Sequence, residues 1–152
     1  MRPSSILNRL ALAILLTSAS LSVANAQEWA GTVKAASGKV AVERGGSASA
    51  IALGDRVWPA DTLVTGKDGR LSVTLRDDTL LSIGPDTRVA LSEFSFSAAT
   101  NEGSLWLSVQ RGVAAVASGL IARFNPKAMR VSTPSALLGI RGTEFVVEVP
   151  GD

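Results

Sequence analysis

The stretch from Gly54 to Leu91 reads GDRVWPADTLVTGKDGRLSVTLRDDTLLSIGPDTRVAL, and its rhythm decides the fold. Leu71, Val73 and Leu75 point one way, with Ser72 and Thr74 between them. Leu81 and Ile83 repeat the pattern, as do Val89 and Leu91. Period-two alternation of this kind marks strands with one buried and one solvated face. Between the runs stand Gly54-Asp55, Lys67-Asp68-Gly69, Asp77-Asp78 and Gly84-Pro85-Asp86. Glycine supplies positive φ at such turns, and Asp tolerates it.

The same alternation extends in both directions. Upstream lies Lys39 to Glu43, followed by the Gly45-Gly46 turn. Downstream, Phe94 and Phe96 flank Ser95, and Leu105, Leu107 and Val109 flank Trp106 and Ser108. Phe145, Val147 and Val149 close the series, after turns at Asn101-Glu102-Gly103 and Asn125-Pro126. Turns about ten residues apart favour an antiparallel sandwich or small barrel. Two short segments, Val113–Leu120 and Ser135–Ile140, carry the helical candidates. The fold class expected is all-β, in a single domain.

The first 26 residues are expected to stand outside that domain. Arg2 and Arg9 form a positive start, Leu10 to Leu16 is a compact apolar run, and Ala24-Asn25-Ala26 is a small-residue cleavage site. This is the layout of a secretory signal peptide, too short for a membrane span. Cleavage leaves residues 27–152, a length that suits one core without disulfide staples. The chain has 15 Lys and Arg against 13 Asp and Glu. Arg2 and Arg9 leave with the leader, so the remaining chain carries no net charge. With no run of like charge, nucleic acid and anionic membrane surfaces are poor partners.

The chain contains no His, Cys or Tyr. This removes Ser-His-Asp and Cys-His catalysis and thiol redox work, and it leaves neither zinc nor copper its usual ligands. No Ser-x-x-Lys occurs. Asp55, Asp61, Asp68, Asp77, Asp78 and Asp86 could in principle serve calcium, but no D-x-D-x-D-G loop is present and each sits where a turn wants it. Trp58 and Trp106 could stack on a sugar, although tryptophan is usually largely buried. No enzyme, cofactor or metal is expected.

Several phrases now line up: Gly54 to Leu91, and then VSTPSALLGIRGTEFVV from Val131 to Val147. Together they resemble the FecR domain family, named for the ferric-citrate regulator of Gram-negative bacteria. That family shows two Gly-Asp phrases before a T-G turn, then a D-G turn, then an L-x-D-G-S/T phrase leading to G-P-x-S/T. It ends on T-P-x-A-x-x-G-apolar-R-G-T-x-F. The resemblance spans roughly Gly31 to Val149. Ala60 stands where the family usually has the second Gly-Asp glycine, and Asp78 where a turn glycine is common.

The resemblance implies a jelly-roll-like antiparallel β-sandwich in the periplasm. The best-known members join a cytoplasmic sigma-factor regulator, one membrane helix and this domain, which receives a signal from an outer-membrane TonB-dependent transporter. Here the leader stands in place of the first two parts. The expectation is therefore a stand-alone, secreted, non-enzymatic module of envelope signalling or assembly that binds another periplasmic or envelope protein. The alternative is a module for cell-wall glycan or a small ligand, using Trp58 or Trp106. A hydrolase built from carboxylates is the third reading.

Thr133, Pro134, Gly139, Arg141, Gly142, Thr143 and Phe145 form the structural motif. Proline pushes Thr133 toward an extended entry. Gly139 and Gly142 would let the backbone approach a neighbouring strand around Arg141. The five donors of Arg141 would then fork onto a carboxylate, with Asp55, Asp61 and Asp77 as candidates, or onto loop carbonyls, and lock the last strand. Phe94, Phe96 and Trp106 are the candidates for an apolar partner-binding patch.

Overall fold

The computed structural model describes residues 26–151. The leader expected over residues 1–26 lies, apart from Ala26, outside the described residues. Among the described residues, twelve strands form one curled, mainly antiparallel sheet. The first four are β1 (Gly31–Ser37), β2 (Val40–Arg44), β3 (Ser47–Ala50) and β4 (Arg56–Val57). Next come β5 (Thr62–Thr65), β6 (Arg70–Leu75), β7 (Leu80–Ile83) and β8 (Arg88–Ser97). The last four are β9 (Glu102–Ala117), β10 (Met129–Ser132), β11 (Leu137–Gly139) and β12 (Glu144–Val149).

The main path runs β3-β2-β5-β8-β9-β7-β6-β1-β4. Strand β9 is its spine. Its first half pairs with β8, and its second half pairs with β7 on one side and β12 on the other. The two halves meet at Gly112, where φ is 83°. A Cβ there would lie 2.2 Å from Thr87 Oγ1 and 2.6 Å from Thr87 Cα. Buried Thr87 fastens the bend, since its hydroxyl donates to Pro85 O at 2.8 Å and accepts from Val113 N at 2.9 Å.

The alternation read from the sequence matches the buried faces. Leu71, Val73, Leu75, Leu81, Ile83, Leu105, Leu107 and Val109 are all buried in one core. On β8 the inward positions step from Val89 and Leu91 to Phe94 and Phe96, a break of three. A register shift between Leu91 and Glu93 causes it, leaving Leu91 opposite Leu107 and Phe94 opposite Leu105. A bulge adds one residue to one strand and so returns the apolar set to the core face.

The segment Val113–Leu120, expected as a helix, is strand as far as Ala117. Its small residues lie between two strands that satisfy its backbone from both sides, and that pairing outweighs local propensity. The short helix instead begins later, as α1 (Leu120–Phe124), followed by a 3-10 turn at Pro126–Ala128. The second helical candidate, Ser135–Ile140, holds β11, paired antiparallel with β10. Through α1 the chain crosses back, so that β10 runs parallel to the first half of β9.

Helix α1 is anchored from across the chain by Asp77. The buried carboxylate accepts from Thr79 N at 3.1 Å, Thr79 Oγ1 at 2.7 Å and Ile121 N at 3.3 Å. Its backbone carbonyl accepts from Leu120 N at 2.7 Å. Ile121 thereby enters the core. Truncating a core residue of that size to Ala typically costs about 2–5 kcal/mol.

Candidate functional site

Several acidic residues are engaged one by one. Asp61 is fully buried, and its Oδ1 and Oδ2 accept from Arg44 Nε and Nη2, each at 2.7 Å. Oδ2 also accepts from Trp58 N at 2.8 Å, while Asp61 O accepts from Leu91 N at 2.8 Å. One aspartate thus ties β2, the β4–β5 turn and β8 together. The hydrogen bond to Asp61 raises the Arg44 pKa further, against the opposing pull of burial. Asp55 and Asp68 accept from Ala52 N and Lys39 N, at 2.8 and 3.2 Å. Among the described residues no group of three or more acidic side chains is placed to hold a metal ion.

On the outer face of the β2–β8 half, Arg88 forks onto Glu43 and also donates to Gln110 Oε1 at 2.7 Å. The hydrogen bonds from Arg88 hold the Glu43 carboxyl below its ordinary range, although burial opposes the shift.

Arg141 is not the lock. It is exposed, and the ion pairs among the described residues are Arg44–Asp61, Arg76–Glu28, Arg88–Glu43 and Arg130–Glu93. The forked contact expected of Arg141 is made by Arg44, because the sheet order brings β2 beside β5 while Arg141 lies on the surface beyond β11. A Cβ on Gly139 or Gly142 would meet nothing within 4 Å, so the close approach expected at these glycines is also absent. Thr133 does turn the chain: its N–H donates to Ala136 O at 2.8 Å, and its Oγ1 accepts from Ala136 N at 3.1 Å. Pro134 is exposed. The carbonyls of Gly142 and Thr143 accept from Ser118 Oγ at 3.0 and 3.2 Å, and Thr143 O also accepts from Ser118 N at 2.6 Å. Phe145, half-buried, pairs with Val116.

Phe94 and Phe96 face the core, 7% and 8% exposed, so the apolar patch expected there is turned inward by the β8 bulge. Trp106 stands on the opposite face, half-buried, with Nε1 donating to Ser132 Oγ at 3.0 Å. Arg130 lies over its ring at 4.7 Å and donates to Glu93 at 3.2 Å. Trp58 has Arg44 at 6.0 Å, and Trp29 has Arg56 and Arg76 at 5.2 and 5.6 Å. All three tryptophans therefore carry a guanidinium near the ring. The residues lie on different strands, and no local sequence signal announces these pairs.

One cleft gathers cations without acids. Lys127, Arg130 and Arg141 line a space of about 460 Å³, together with Pro126, Met129 and Ile140. The 3-10 turn presents Lys127, the strand β10 presents Arg130, and the loop after β11 presents Arg141. Pairing of Arg130 with Gly139 holds the end of β11, two residues before Arg141, against β10. The sequence reading singled out Arg141 but missed its two companions, which are spaced irregularly along the chain.

A family model described as FecR protein matches residues 61–152. The chain belongs to the FecR family. No curated protein and no solved structure matches it. The FecR match takes in the buried Asp61, the bend of β9 and all three cations of the cleft. Strands β1 to β4 precede it, yet β1 pairs with β6 and β2 with β5. Among the described residues no helix is long and apolar enough to cross a membrane.

Proposed function

We propose that this FecR-family chain is a regulatory, non-enzymatic module that acts in the periplasm by binding another envelope protein. Residues 1–26 serve as its cleavable leader, and residues 27–152 form one domain whose curled sheet closes as a jelly-roll-like sandwich. The observation that carries the reading is the position of the signature segment. Pro134 to Gly139, on the edge hairpin of the sheet, and Arg141 to Glu144, leading from β11 into β12, are exposed, with Leu137 at 65%. A segment held at the surface, beside no acid–base pair, suits recognition better than catalysis. The guanidinium near each tryptophan ring favours a protein partner over a stacked sugar.

The mature chain, immobilised and exposed to a periplasmic extract, is expected to retain one protein at stoichiometric level. Retention on purified peptidoglycan alone, lost in Trp106→Ala, would replace this reading with the glycan one.

A further inference from the structure

The cleft holding Lys127, Arg130 and Arg141 has the chemistry of a binding site, and we propose that it takes an extended acidic segment of the partner protein. This inference rests on the protein-binding function proposed above. Three cations from three separate elements meet around one space, and no acidic residue lines it. Bringing like charges together is unfavourable unless an anion enters between them. Lys127 and Arg141 are exposed and make no ion pair among the described residues. Arg130 meets Glu93 at 3.2 Å and retains unused donors; a strong charge-assisted bond is shorter, about 2.7–2.9 Å.

Two features favour a peptide over a free anion. Pro126, Met129 and Ile140 add an apolar lining that suits side-chain methylenes. Beside the cleft, β11 pairs with β10 alone, which leaves its other backbone edge open among the described residues. An open edge accepts an extended chain by main-chain hydrogen bonding, and side chains at alternate positions then supply specificity.

The test uses the mature chain and a fluorescent ten-residue peptide of alternating Glu and Val, followed by anisotropy. Binding is expected, weakening as salt screens the charges. Lys127→Glu with Arg141→Glu should weaken it by about tenfold or more, as expected when interface charges are reversed. Lys127→Arg with Arg141→Lys keeps the charge and should bind nearly as the native chain does. If the reversed variant fails to fold, Arg141→Gln alone must show a weaker version of the same loss. Absence of binding, or equal binding by native and charge-altered chains, would overturn the proposal. So would complete displacement of the peptide by millimolar inorganic phosphate, which would mark a small-anion pocket. The extract experiment keeps the two ideas apart. A partner retained equally by the reversed variant leaves protein binding intact and removes the cleft from it. No partner on the native chain removes the broader function.

Discussion

Ala60 occupies the left-handed region at φ 70°, and Asp78 does so at φ 66°. These are the two places where the sequence departs from the glycines of the FecR pattern. The family resemblance therefore marked backbone positions, and the departures mark local strain. An L-residue in that region costs roughly 1–2 kcal/mol, and Asp less, because its short side chain can hydrogen-bond locally. Ala60 is exposed, so replacing it removes no core packing. Ala60→Gly should thus stabilise the chain by about 0.5–1 kcal/mol, after allowing for the added freedom of glycine in the unfolded state. Thermal unfolding should show a midpoint about 2–4 °C higher. An unchanged or lower midpoint would mean that the turn is not strained.

At the scale of the element, β9 does what no other strand among the described residues does, by belonging to both halves of the sheet. Its 16 residues could not serve both without the bend at Gly112. Alanine there meets two obstacles: a positive φ, and a methyl group driven into Thr87. Gly112→Ala is expected to destabilise by about 2–4 kcal/mol, combining backbone strain with displacement of a buried hydrogen-bonded side chain. Urea unfolding monitored by tryptophan fluorescence measures it. A loss below about 0.5 kcal/mol would show that the bend does not depend on glycine. The bulge in β8 acts on the same scale. It explains why Phe94 and Phe96, read as candidates for an exposed patch, are core residues. The step of three between Leu91 and Phe94 was visible in the sequence, but its meaning depended on β9 continuing unbroken opposite.

The whole molecule is larger than the segment the FecR model matches. Val33, Val42, Ile51 and Val57 lie ahead of residue 61, and all are buried in the common core. Removing β1 to β4 would strip these side chains and expose the edges of β5 and β6. Each buried aliphatic contributes roughly 1.5–3 kcal/mol, against a net stability of about 5–15 kcal/mol for a whole domain. Residues 61–152 expressed alone should therefore lack a cooperative thermal transition, whereas 27–152 should show one. Circular dichroism melts of the two chains make the comparison, and a cooperative melt of the shorter one would contradict it. Charge is likewise a property of the whole. Acidic and basic residues balance over residues 27–152, yet the fold concentrates three cations in one cleft.

Much was legible along the chain itself. Alternation with period two selects the buried face of a strand whatever its neighbours are, because successive side chains point to opposite faces. Turn residues likewise act within a few positions, so the all-β class and most strands followed from local pattern. Partner choice is different in kind. Asp61 meets Arg44, 17 positions away, and Asp77 meets Ile121, 44 positions away. Sheet order and register decide which distant side chains share a row, and neither is encoded within one strand. For that reason Arg141, flanked by glycines and conspicuous in the sequence, lies at the surface, while the fork onto a buried carboxylate belongs to Arg44.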